Sequence, residues 1–127
     1  MARQKPPPKF LNLLLIKLPP GGVASIAHRI SGVLMFLSIP PAAWLFGLSL
    51  DGGEGFERAR EVLYSPLLQL VSIVLVWSLS HHLLAGVRHL LLDIGVGVDR
   101  MPAQRSALLV NVAAMVVTGI YLGSLVI

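Results

Sequence analysis

The chain contains no cysteine, which excludes disulfides, thiolate-held iron–sulfur clusters and thioether-linked haem; a bound metal must therefore rely on histidine. Charge is also scarce, at 13% of the 127 residues, against about 25% in soluble domains. Acidic residues are the rarer sign, six against ten Lys and Arg for a net charge of +4. The basic residues lie at the edges of apolar runs rather than among aromatics, so the charge does not point to nucleic acid. Aromatics make up only 6% of the chain.

What is present is hydrocarbon, since 55% of the residues are hydrophobic. Three apolar runs, residues 23–50, 66–92 and 106–127, each reach the ~20 residues that a spanning helix needs. They predict an all-α membrane protein with three transmembrane helices in a single domain, 23–127. They leave no room for a soluble catalytic domain. Residues 1–22 hold Pro6, Pro7, Pro8, Pro19 and Pro20 and read as an extended or interfacial segment. The first run contains His28 and Arg29 and lacks a cleavage site, so it is not a signal peptide, and no Arg- and Ser-rich transit segment precedes it. Arg3, Lys5, Lys9 and Lys17 precede the first run, whereas Asp51, Glu54, Glu57 and Glu61 follow it. The positive-inside rule then puts the N-terminus on the cytoplasmic or matrix side. The stretch 51–60, polar and rich in glycine, reads as a solvated connection. Pro40 and Pro41 predict a kink in the first helix. Ala107, Asn111, Ala114 and Thr118, with Gly119 and Gly123, read as a packing stripe on the third.

Against this background the stretch His81–Asp93, HHLLAGVRHLLLD, is conspicuous. An ionisable side chain within a membrane helix costs about 2.5–3.5 kcal/mol on insertion scales and usually faces a cofactor, a cavity or another protein. At about 100° per residue, Ser78, His82, Gly86, His89 and Asp93 fall on one stripe, and His81, Ala85, Arg88 and Leu92 on another. Gly86, one turn from His82, removes a side chain where a flat macrocycle would approach. On the first helix, in SIAHRISG from Ser25 to Gly32, Ser25 and Arg29 share a face with His28 beside it. The topology brings both motifs to one end of the bundle. An amphiphilic cofactor such as haem fits that arrangement, its iron on His82 and its propionates toward Arg88, Arg29 or His28. A helix–helix hydrogen bond for His82, interfacial arginines and a His89–Asp93 pair are the duller alternatives. A small proton- or ion-transport subunit is a competing class.

The two motifs, in this order and spacing on helices one and two, resemble the cytochrome b membrane-anchor subunits of succinate dehydrogenase. The resemblance covers nearly the whole chain. It departs from the family where Lys5, Pro6, Pro7 and Pro8 replace an Arg-Pro pair and where Leu92 replaces an aromatic residue or methionine. The resemblance implies a multi-pass protein of the bacterial plasma membrane, rather than the mitochondrial inner membrane, working with a second small anchor subunit, an iron–sulfur subunit and a flavoprotein. Haem b would be shared with the second anchor, ubiquinone would be the substrate, and FAD and the iron–sulfur clusters would reside only in the partners. It implies His82 as the axial ligand of the haem iron, Ser25 and Arg29 at the quinone, and His28 near a haem propionate. Arg88 would be a further propionate contact and Gly86 would pack on the haem. No complete active site would lie in this chain alone. A quinol:fumarate reductase anchor shares the same pattern.

Overall fold

The computed structural model describes residues 18–126, which fold into helices alone. These are α1 (Pro20–Ser49), α2 (Gly52–Leu63), α3 (Pro66–Asp93) and α4 (Arg100–Val126). Two of the helix starts are written locally. Pro19 has extended backbone and Pro20 opens α1, a position where a missing N–H costs nothing. Ser65 is also extended, and its hydroxyl accepts from the Leu68 amide at 3.4 Å ahead of Pro66. Most of the expected N-terminal segment lies outside the described residues, and its last three, Pro20–Gly22, already belong to α1.

Two elements differ from the sequence-based expectation. The stretch 51–60 is not a plain connection but the body of α2. Its i,i+4 pair Arg58–Glu54 (3.9 Å) and i,i+3 pair Arg60–Glu57 (3.5 Å) lie on the solvated side, while Gly55 and Ala59 are buried. Gly55 faces the main-chain carbonyl of Leu48 so closely that a Cβ would collide with it. The glycine that suggested a loop is thus what lets α2 fold back on the end of α1. α4 begins at Arg100 rather than Ser106, with the Asp99 carbonyl accepting from the Ala103 amide at 2.9 Å. Arg100, Gln104 and Arg105 interrupt its first two turns, so no apolar run marks them. Gly95 and Gly97, at φ of +83° and +74°, turn the chain between α3 and α4, conformations that suit glycine.

α1 runs without a break through Pro40 and Pro41. α3 packs against α1 on one side and α4 on the other, and α1 also meets α4. The buried residues at these crossings are mostly small: Ala24 and Ser31 on α1, Ser78 and Ala85 on α3, Ala107 and Ala114 on α4. Small side chains let helix backbones approach closely, which is how helices associate where no hydrophobic drive separates protein from lipid. Gly119 and Gly123, expected to share that role, face open space in this chain. The outer faces are apolar and bare: Phe36 is 71% exposed, Leu109 67% and Ile120 69%. Such a surface is untenable in water and suited to hydrocarbon. α1, α3 and α4 are each long and apolar enough to cross a membrane.

The chain order places the start of α1, the end of α3 and the start of α4 at one end of the bundle. At the other end an apolar groove of about 830 Å³ lies between α1, α3 and α4, lined by Leu37, Pro41, Leu68, Leu75 and Tyr121. Here the Tyr121 hydroxyl donates to Ser72 Oγ at 2.9 Å and ties α4 to α3.

Candidate metal centre

Successive residues on a helix are turned by about 100°, so the paired histidines of α3 serve different neighbours. His82 is directed to α1. Its Nδ1 lies 3.2 Å from Ser31 Oγ and 3.1 Å from the main-chain carbonyl oxygen of His28. The Ser31 hydroxyl donates to that same carbonyl at 2.8 Å. A carbonyl only accepts, and the Ser31 proton is already engaged, so both oxygens facing Nδ1 are acceptors. The neutral imidazole therefore carries its proton on Nδ1 and its lone pair on Nε2.

The ring is seated by a glycine of α1 and by the His28 ring. A Cβ on Gly32 would stand 2.9 Å from His82 Cε1, closer than side chains pack, so α1 needs glycine opposite this ring. The His28 ring stacks on His82, with centroids 4.1 Å apart and planes 11° from parallel. His89 meets His28 edge-on at 4.9 Å. A Cβ on Gly86 would lie 3.6 Å from His28 Nε2. The gap that Gly86 leaves thus opens toward the His28 ring rather than bare space. The expected His89–Asp93 pair is absent among the described residues: Asp93 is exposed and His89 lies against His28.

His81 points to α4 instead. It is 1% exposed, its Nε2–H donates to Asn111 Oδ1 at 3.0 Å, and its buried Nδ1 has no partner among the described residues. The Trp77 ring lies 5.5 Å away. Asn111, read from the sequence as packing, is therefore a hydrogen-bonding partner, and a lone amide in an apolar stripe was the signal for it. Arg88, on the same stripe as His81, donates from Nε to Ser106 Oγ and from Nη2 to the Ala103 carbonyl, both at 3.0 Å. Its Nη2 is 3.9 Å from where a Gly21 Cβ would be, so the guanidinium sits where α1, α3 and α4 converge. Among the described residues its remaining donors are uncommitted.

Ser25 is half-buried and Arg29 exposed on α1, one turn apart. Among the described residues neither side chain makes a hydrogen bond, which leaves both for a ligand or a neighbouring subunit. Ser31 and Gly32 are contacts of His82 to which the sequence reading assigns no such role, although Gly32 shares the face of Ser25 and Arg29. Both lie within SIAHRISG, but only the packing of α1 on α3 shows what they touch.

The donor set fits one axial ligand of a haem. His82 offers Nε2, held in the right tautomer by a main-chain carbonyl behind it, as metal-bound histidines usually are. Among the described residues no group of three His or acidic side chains could enclose a bare metal ion. A single imidazole suits an iron that brings its own macrocycle nitrogens.

Comparison with known proteins agrees. A family model described as the succinate dehydrogenase/fumarate reductase transmembrane subunit matches residues 3–122. The succinate dehydrogenase cytochrome b556 subunit of Coxiella burnetii is 29% identical over 120 residues, 91% of this chain and 95% of its own length. That of Paracoccus denitrificans is 31% identical over 96 residues, covering 76% and 74% of the two chains. That of Rickettsia felis is 32% identical over 90 residues, covering 71% and 69%. The match accounts for the three long apolar helices. It sets aside the ion-transport alternative, and the chain belongs to the succinate dehydrogenase/fumarate reductase transmembrane subunit family.

Proposed function

We propose that this chain anchors a succinate dehydrogenase in a bacterial plasma membrane, supplies His82 as one axial ligand of haem b, and forms part of the quinone site. The observation that carries the reading is the state of His82: its Nδ1 is occupied by two acceptors of α1, and Nε2 is the nitrogen left for iron. Bound there, haem would supply one-electron redox chemistry. His28, stacked on His82, and Arg88, with donors to spare, stand where propionates would be held by charge-assisted hydrogen bonds. Gly86 keeps the α3 surface beside His28 clear, since a Cβ there would already be in van der Waals contact with its Nε2 at 3.6 Å.

At the quinone, the Ser25 hydroxyl donates a hydrogen bond to a carbonyl oxygen, and the Arg29 guanidinium stabilises the negative charge that develops on that oxygen during reduction. A second anchor subunit supplies the other axial ligand and the rest of the quinone pocket. The iron–sulfur subunit delivers electrons that the flavoprotein removes from succinate. The relatives above are named for succinate dehydrogenase, which favours this direction over quinol-driven fumarate reduction.

The assembled complex tests the reading. Ser25→Ala or Arg29→Leu should slow quinone reduction by roughly 10²-fold, the usual cost of removing a donor aimed at developing charge. Succinate oxidation by an artificial acceptor should be unchanged. Wild-type quinone kinetics in both variants would remove Ser25 and Arg29 from the site.

A further inference from the structure

We propose that the turn His28–Gly32 of α1 is a positioning socket that selects the tautomer and ring placement of His82. The proposal rests on the reading of His82 as an axial ligand and adds three positioning groups to it: the Ser31 hydroxyl, the His28 carbonyl and the missing side chain of Gly32.

Serines elsewhere in the bundle, the buried Ser78 and the half-buried Ser38 and Ser80, provide the contrast. Ser38, Ser78 and Ser80 donate back to carbonyls of their own helices, at 2.7, 2.8 and 2.7 Å, as serine does inside helices. Ser31 also donates to its own helix, to the His28 carbonyl. Its oxygen then faces His82 Nδ1 across the α1–α3 crossing at 3.2 Å, and the residue is fully buried. The three atoms Ser31 Oγ, His28 O and His82 Nδ1 close a triangle with sides of 2.8, 3.1 and 3.2 Å. With the hydroxyl proton spent on the carbonyl, the only proton left to fill the triangle is the one on Nδ1. Both acceptors draw on that N–H, which makes Nε2 a stronger electron donor to a bound metal. A stronger donor favours the ferric over the ferrous iron.

Gly32 acts by shape. Any side chain there would press on Cε1, the carbon between the two ring nitrogens, from 2.9 Å. His28 closes the ring's face at 4.1 Å. The ring is thus held at its edge by hydrogen bonds, at Cε1 by the absent side chain and on one face by stacking. Ser31, Gly32 and the His28 carbonyl are one turn of one helix, so a single segment places the whole set.

The test uses membranes containing the intact complex, with haem followed by reduced-minus-oxidised spectra, redox titration and low-spin EPR. Ser31→Ala removes one of the two acceptors and no packing volume beyond an oxygen. It should raise the haem midpoint potential, by about 59 mV for each tenfold loss in the preference for ferric iron. Gly32→Ala should displace the ring, shift the EPR signal and weaken haem retention by about 10- to 100-fold. Ser78→Ala, which loses a buried serine with no imidazole partner, should leave the potential and the EPR signal unchanged. Should the Gly32 variant fail to assemble, Ser31→Ala carries the test. An unchanged potential and EPR signal in Ser31→Ala, with haem lost in His82→Tyr, would overturn the socket while leaving His82 as ligand. A native haem spectrum in His82→Tyr would instead overturn the ligand reading itself.

Discussion

His81 and His82 are neighbours in sequence and yet occupy opposite environments. His82 meets α1 through two oxygens that both accept, and it retains a nitrogen with a free lone pair. His81 meets α4 through one amide oxygen and buries its other nitrogen without a partner among the described residues. Around His82 the helices carry glycine and histidine, which make room and polarity. Around His81 they carry Ala85, Ala107, Ala114 and the Trp77 ring, which close the space. The difference teaches that an intramembrane histidine is not chemical by virtue of its type. What matters is whether the neighbouring helix leaves a nitrogen open toward a ligand or seals it.

The strongest way to break this contrast is to exchange the fates of the two residues. His82→Ala should abolish the b-type absorption band of the complex, whereas His81→Ala should retain it; equal loss in both would erase the distinction. A step smaller, Gly86→Val should drive a side chain into His28, whose Nε2 is only 3.6 Å from the Cβ position. Haem content is expected to fall by about tenfold, the low end for a perturbed supporting residue, as read from the pyridine haemochrome spectrum.

On the α4 side the effects should be on stability alone. Asn111→Ala leaves His81 with neither nitrogen paired, a loss of about 1–3 kcal/mol for an unsatisfied buried group. The thermal midpoint of the complex should drop while the haem potential stays at the wild-type value. A double-mutant cycle between His81 and Asn111 should give a coupling of about 0.6 kcal/mol, typical of hydrogen bonds between membrane helices. A shifted potential in Asn111→Ala would mean that the two sides of α3 are coupled after all. The smallest effect is expected farthest from the histidines: Tyr121→Phe, which removes the bond to Ser72 Oγ, should cost about 0.5–1.5 kcal/mol with no spectral change.

Much of the fold was legible because a bilayer imposes a simple rule on sequence. A helix must satisfy its own backbone and show apolar side chains to lipid, and the three long helices are visible as runs of such residues. The errors came where that rule does not apply. α2 lies outside the long apolar runs, and its three glycines, Gly52, Gly53 and Gly55, looked like a loop until Gly55 was found against the Leu48 carbonyl. The start of α4 is broken up by Arg100, Gln104 and Arg105, so its first turns carried no hydropathy signal. The glycine pair Gly119 and Gly123 suggested a tight crossing, yet the crossing is made by Ala107 and Ala114, nearer the histidine end.

The candidate site was legible to the level of residue type and stripe. Helical periodicity alone separates His82 from His81 and aligns Gly86 with His82, and the topology alone brings SIAHRISG to the same end as HHLLAGVRHLLLD. Arg88 shows the limit. Its depth suggested a propionate contact, but two of its donors hold the start of α4 at Ser106 and Ala103, an engagement that depends on where the α3–α4 turn returns the chain.

By itself, then, the amino-acid order determined a three-span helical anchor, histidine as the only strong metal donor, and which residues share each helix face, because these follow from hydropathy and a fixed helical repeat. Only the tertiary structure decided what each face meets. Ser31 and the His28 carbonyl face His82 Nδ1 because α1 crosses α3 at that height, and Asn111 faces His81 because α4 packs on the other side. Within a helix, position sets direction; between helices, the partner atom is set by depth and crossing. The tautomer of His82, and with it the nitrogen whose lone pair stays open, belongs to that second kind of information.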